Sequence, residues 1–208
     1  MPTVSLKTFL KRGFLEKTVR NSPEVAAVVD KTFRRRVGGL KGAALADFDR
    51  HPVTRELKQG PDGGNISGTL GNVGNLFSFI GFYSSDNPTA LVREVLKNYL
   101  NIVGRQRKLR GHRGTKAYRY SLTFPSISSF DSVAKMPWEE GSSWVKGVEN
   151  GISGFSNYMY LTRGEGKLAE RSRSGKGLQT QKTLNAGMFK PTKYITEILN
   201  DYRRRLGS

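Results

Sequence analysis

The 208-residue sequence predicts an α+β protein in which helices pack on an antiparallel or mixed sheet, joined by long glycine-rich and basic loops. Three observations lead there. Apolar residues recur at helical spacing in several separate stretches, they alternate with polar residues in another, and most of the 24 glycines and most of the charge fall between such stretches. The length suits a single domain spanning 1–208, with a glycine-rich arm at 60–74, a basic loop at 104–117 and a hairpin tip at 163–177.

The elements follow in chain order. Leu6, Phe9, Leu10 and Phe14 lie one helical turn apart, so the chain begins with a short amphipathic helix. Ser22-Pro23-Glu24 is the clearest helix start: a capping hydroxyl, a proline fit for the first turn, and an acid beside the positive helix end. Val25, Val28, Val29 and Phe33 form its apolar stripe, and Gly38-Gly39 ends or kinks it before a helical pattern resumes over 40–48. Glycines at 60, 63, 64, 68, 71 and 74 then mark an extended arm, ordered only where a partner offsets its conformational entropy. Asn75 to Phe82 reads as a strand.

Asn87-Pro88 opens a second capped helix. Leu91, Val92, Val95, Leu96, Tyr99, Leu100 and Val103 give it the strongest apolar face in the chain, as expected of a central core helix. Tyr118, Tyr120, Leu122 and Phe124 alternate with Arg119, Ser121 and Thr123 in a half-buried strand. Asn157 to Leu161 reads as a further strand, with its hairpin partner in the segment returning toward Phe189. Pro191 opens a last helix faced by Tyr194, Ile195, Ile198, Leu199, Tyr202 and Leu206.

Charge is segregated. Lys and Arg total 35 against 17 acids, a net +18 and a pI near 10.3. Residues 101–120 carry Arg105, Arg107, Lys108, Arg110, Arg113, Lys116 and Arg119 without one acid. Such a stretch cannot enter a core and calls for a polyanion, an acidic subunit or solvent. Residues 1–41 hold ten Lys/Arg against three acids, Arg171, Arg173 and Lys176 belong to a third basic stretch at 163–190, and Arg203-Arg204-Arg205 forms a short basic tail. Tyr118 and Tyr120 beside the basic loop suit either base stacking or half-core packing.

The sequence offers no catalytic constellation. Without cysteine there is no disulfide, thiolate zinc site or thiol nucleophile, and a reducing cytoplasm fits maturation best. His51, before Pro52, suits capping or packing, and His112 sits between Arg110 and Arg113, which repel a metal. Gly166 to Gly177 imitates a phosphate-binding loop, but Glu170 stands where a glycine is required and Gly177 where magnesium needs a hydroxyl. Adjacent acids diverge on a strand and sit about 100° apart on a helix, so neither of the close pairs Asp47/Asp49 and Glu139/Glu140 preorganises a metal site by itself. No cofactor, no metal and no enzymatic activity are expected, and the longest apolar run, 76–83, is too short to cross a membrane. Phe77, Phe79, Trp138 and Trp144 are candidate subunit-interface anchors, the tryptophans otherwise folding back over the sheet.

Several phrases resemble a known class of proteins: His51 to Leu57, Gly74 to Phe82, Met136-Pro137-Trp138-Glu139, Gly151 to Gly154 and Arg171 to Gln179. Together they resemble the neck or tail-completion proteins of tailed bacteriophages, over residues 51–179. The resemblance implies a non-enzymatic virion protein, assembled in the host cytoplasm into a homo-oligomeric ring at the head–tail junction. Its neighbours would be portal or connector and tail-tube proteins, around a channel where basic loops meet double-stranded DNA without base preference. The charge equally permits a nucleic-acid-binding protein of ribosomal or nucleoid type.

Overall fold

The computed structural model describes residues 22–71, 74–110, 116–137, 141–151, 158–160, 178–179 and 189–207; the strand residues 103–110, 116–119, 158–160 and 178–179 are described by their backbone. Helix α1 (Pro23–Arg50) starts as the sequence requires. The Ser22 hydroxyl accepts a hydrogen bond from the Val25 amide at 3.2 Å, with Pro23 in the first turn. The helix then runs for 28 residues straight through Gly38 and Gly39, where the sequence predicts an end or a kink. Each glycine costs a helix interior roughly 1 kcal/mol relative to alanine, but Val37, Ala44 and Phe48 are buried on one side and hold the helix across the pair.

His51 closes α1 and caps α2 (Pro52–Gln59), which buries Val53, Thr54, Glu56 and Leu57. A single 3-10 turn, Gly60–Asp62, leads into the glycine-rich segment. Beyond it come α3 (Leu76–Ile80), α4 (Pro88–Tyr99), strands β1 (Ile102–Arg110) and β2 (Lys116–Leu122), and a 3-10 turn at Ile127–Phe130. Helix α5 (Trp144–Asn150), strands β3 (Tyr158–Tyr160) and β4 (Leu178–Gln179), and α6 (Ile195–Gly207) complete the order.

The expected platform of helices on a sheet is not what forms. The described residues are mainly helical, and their strands make two separate two-stranded pairs, β1 with β2 and β3 with β4, both antiparallel. One core gathers Phe48 from α1, Val53 and Leu57 from α2, Val92 and Leu96 from α4, Val145 and Val148 from α5, and Ile195 and Leu199 from α6. The helices therefore pack on one another.

Two short segments account for the difference. Asn75 to Phe82 is helical because the Asn75 carboxamide accepts from the Ser78 amide at 2.8 Å, starting α3, and Gly81 at φ +88° stops it. All five α3 residues are buried, so no polar alternation separates strand from helix. In α5, Ser143 caps, and Trp144, Val145 and Val148 turn inward on only seven residues, too few for a periodic signal.

Buried carboxylates hold the connections. Glu56 on α2 is fully buried, its oxygens accepting from the Ser67 amide at 2.7 Å and the Leu76 amide at 2.5 Å. The Asn75 carboxamide donates to the carbonyls of Gly60, Pro61 and Gly63. The segment 60–71, expected to await a partner, is thus fastened to its own domain, with Thr69 and Leu70 buried and the Lys190 amide bonded to the Thr69 carbonyl. Glu149 on α5 does the same for α6, accepting from the amides of Tyr194 and Thr196 and from the Thr196 hydroxyl.

This architecture sets the outcome of two stability measurements. Glu149→Ala deprives three donors of their acceptor and should lower the urea-unfolding free energy by about 3 kcal/mol, with Glu149→Gln intermediate; an alanine variant as stable as wild type would refute the staple. Gly39→Ala should stabilise by about 0.5–1 kcal/mol, because a Cβ there meets no atom within 4 Å. A lowered melting temperature would mean that α1 breaks at this point.

Candidate nucleic-acid interface

The expected basic loop is instead a ribbon. β1 and β2 pair antiparallel from Ile102↔Leu122 to Arg110↔Lys116, with register shifts between Ile102 and Gly104 and between Gln106 and Leu109. Those irregularities, together with the scarcity of apolar residues, hide β1 from any period-two reading. Arg105, Arg107, Lys108 and Arg110 lie on β1, and Lys116 and Arg119 on β2, whereas Arg113 falls outside the described residues. No acid occurs anywhere in 101–122.

The fold brings other cations to the root of this ribbon. Phe33 of α1 stacks on Tyr120 of β2 with ring centroids 4.1 Å apart. Lys41 donates to the Asn101 carboxamide oxygen at 2.8 Å, just before β1. From α6, the Arg203 guanidinium lies 5.1 Å from the centre of the Phe124 ring, two residues past β2. Arg36 donates to the Arg205 carbonyl at 3.2 Å, closing the circle between α1 and α6. Three basic segments separated in sequence, at 31–41, 105–119 and 203–205, meet at one junction.

Electrostatics keep this junction cationic. Arg34 is paired with Asp30 at 2.8 Å and Arg205 with Asp47 at 2.9 Å, while the partner of Lys41 is neutral. Lys31, Arg35, Arg203 and Arg204 are exposed, and Arg204 shares its charge with Asp201. Exposed pairs of this kind add little to stability. They offset only part of the charge, so the junction keeps a positive field.

The remaining candidate residues are distributed differently. Arg171, Arg173, Lys176 and Trp138 lie outside the described residues. Phe77, Phe79 and Trp144, expected as subunit-interface anchors, are core residues of their own chain, at 0%, 2% and 1% exposure. Phe77 packs against Phe82, Phe79 stacks on Phe189, and Trp144 meets the Phe82 ring edge-on with centroids 6.1 Å apart. A strand over this segment would put Phe77 and Phe79 on one face and Phe82 on the other; in the structure all three are buried. Arg36, Lys41 and Arg203 are absent from the sequence-predicted site, since only tertiary packing brings them to the ribbon.

Of the groups weighed for catalysis, His112, Glu139, Glu140 and residues 166–177 lie outside the described residues, whereas Asp47, Asp49 and His51 are committed elsewhere. Asp49 pairs with Lys58 at 2.7 Å and Arg93 at 3.0 Å; burial opposes its ionisation, but the two cations outweigh it and hold the carboxyl below its usual range. The His51 Nδ1 accepts from the Val53 amide at 3.2 Å, and its ring lies 4.8 Å from that of Tyr194. Among the described residues no group of three or more His, Asp or Glu side chains could hold a metal, and no helix is long and apolar enough to cross a membrane. What remains is a helical domain carrying a cationic two-stranded ribbon. No protein family, curated protein or solved structure matches the chain.

His51 yields a pH prediction. Burial pushes its pKa below the ordinary 6.5, against the opposing pull of Glu197, Glu149 and the Lys193 backbone. The unfolded chain therefore binds the proton first, so this contribution to stability is complete above about pH 6.5 and is lost as the pH falls toward the folded-state value. His51→Asn keeps a capping side chain without titrating. Unfolding free energies should decline between pH 7 and 5 in the wild type and less steeply in the variant; equal slopes would remove His51 as the cause.

Proposed function

We propose that this chain is a non-enzymatic structural protein that contacts DNA through the ribbon β1–β2 and the cations at its root. The observation that carries the reading is the convergence of two further basic segments, 31–41 and 203–205, on one acid-free ribbon. A fold dominated by its own core has no internal use for such a concentration of like charge, which raises its electrostatic energy until an anion covers it.

The resemblance of residues 51–179 to phage neck and tail-completion proteins supports a particular setting. In it the protein is a subunit of a ring at the head–tail junction, between portal or connector and tail tube, with the ribbon toward the DNA channel. The engagement of Asp47, Asp49 and His51 in ion pairs and caps supports a non-enzymatic role. A conduit must pass every sequence, so its contacts go to phosphates and not to base edges.

The test is the salt dependence of duplex binding, combined with the mass of the purified protein. Log affinity should fall with log salt by about 0.9 for each phosphate neutralised, with no sequence preference. Replacing Arg105, Arg107, Lys108 and Arg110 by Ser should flatten that slope by about 0.9 for each phosphate no longer neutralised, while leaving the melting temperature unchanged. Loss of oligomerisation with unaltered DNA affinity would instead make the ribbon a docking arm for an acidic subunit. A strict monomer preferring folded RNA would favour the ribosomal or nucleoid type.

A further inference from the structure

Between α1 and the start of β1 runs an open groove of about 290 Å³. One wall is Arg34, Gly38 and Lys41; the other is Leu100, Asn101 and Ile102. We propose that this groove seats the sugar–phosphate backbone of duplex DNA, as a second contact beside the ribbon. The inference deepens the reading above and rests on it.

Three features argue for that occupant. Charge comes first: among the described residues no acid lines the groove, Lys41 bonds to the neutral Asn101 carboxamide, and Lys31 and Arg35 extend the positive face along exposed turns of α1. Arg34 contributes less, because Asp30 offsets part of its charge. Second is continuity. Asn101 and Ile102 lead directly into the acid-free ribbon, so a polyanion lying on β1 passes over this groove without leaving the positive field.

Third is the bare backbone of α1. A Cβ added at Gly38, or one turn on at Gly42, would meet no atom of this chain within 4 Å, so internal packing does not demand glycine at either position. Alanine would make a better helix there. Without side chains these turns let a bulky, charged backbone approach α1 closely enough for Lys41 and Arg34 to reach phosphate oxygens, the geometry that charge-assisted contacts need. The mixed walls of the groove suit a sugar–phosphate chain, with the half-buried Ile102 against a sugar and the cations on phosphates.

The experiment compares Gly38→Leu, Lys41→Gln and the four-serine ribbon variant, binding a random-sequence duplex of about 30 base pairs between roughly 50 and 200 mM salt. Gly38→Leu fills the groove with a better helix former. It should melt no lower than wild type yet bind at least about fivefold more weakly, where each tenfold corresponds to about 1.4 kcal/mol. Lys41→Gln should flatten the salt slope by about 0.9, and it keeps the test decisive if the leucine variant misfolds. Both groove variants binding like wild type while the ribbon variant loses affinity would overturn the groove and spare the ribbon. The reverse pattern would uphold the groove and remove the ribbon, whereas a wild type with no affinity for duplex, or with higher affinity for single-stranded RNA, would overturn both.

Discussion

Two buried glutamates are the constraint on which the rest of the structure depends. An ionised carboxylate in a protein interior costs several kcal/mol unless its lone pairs are met by good donors, and a half-satisfied one is worse than an apolar side chain. Glu56 and Glu149 meet that condition with backbone and hydroxyl donors from segments that lack regular structure of their own or only begin it. Among its described residues the glycine-rich stretch buries only Leu70 as a large apolar residue, so apolar burial there does not by itself order it. Its position is set by the Glu56 carboxylate and the Asn75 carboxamide.

From Glu149 the constraint passes to Tyr194, and from there to the basic junction. With its amide held by Glu149, Tyr194 is enclosed by Phe48, His51 and Trp144, and its hydroxyl bonds to Thr54 at 2.5 Å. Burial pushes the ionisation of that hydroxyl far above its usual range despite the Thr54 bond, so it stays neutral and serves as a hydrogen-bonded strut. One side chain thereby ties α1, α2 and α5 to the start of α6. Because α6 is a straight rod of 13 residues, fixing its first turn also fixes its last, and Arg203 and Arg205 arrive at Phe124 and Arg36.

Features that depend on local chemistry are legible in the sequence; those that depend on distant partners are not. The Ser22-Pro23 start, the helix following Asn87-Pro88 and the apolar face of the last helix all appear, since caps and periodicity act within a few residues. The strand over Tyr118 to Leu122 and the pairing near Tyr158 are also readable from alternation and turn chemistry. Helix α3 is not, because a five-residue run buried on every side shows no period, and Gly38-Gly39 misleads because tertiary burial of Val37 and Ala44 overrides a local propensity. Glu56 and Glu149 look like ordinary surface acids until their donors, 11 to 47 residues away, are placed against them. For the site, the basic stretches are visible one by one, and their meeting at the ribbon root is not.

On the proposed reading, the junction is a place where a cost accepted in the free protein is relieved on binding. Like charges brought within a Debye length of about 8–10 Å repel, and the solvent at the surface weakens that repulsion without abolishing it. The fold accepts it because the core and the two glutamate staples lie on other elements and are indifferent to the ribbon, which none of the described core residues joins. Asp49 is turned away from the junction to Lys58 and Arg93, and Asp47, shared between Arg50 and Arg205, offsets only Arg205 among the junction cations. The acids thus brace helix against helix while the ribbon root keeps its positive field. A polyanion laid across that field gains counterion release and removes the repulsion at once, so affinity and the stability of the bound protein should rise together as salt is lowered.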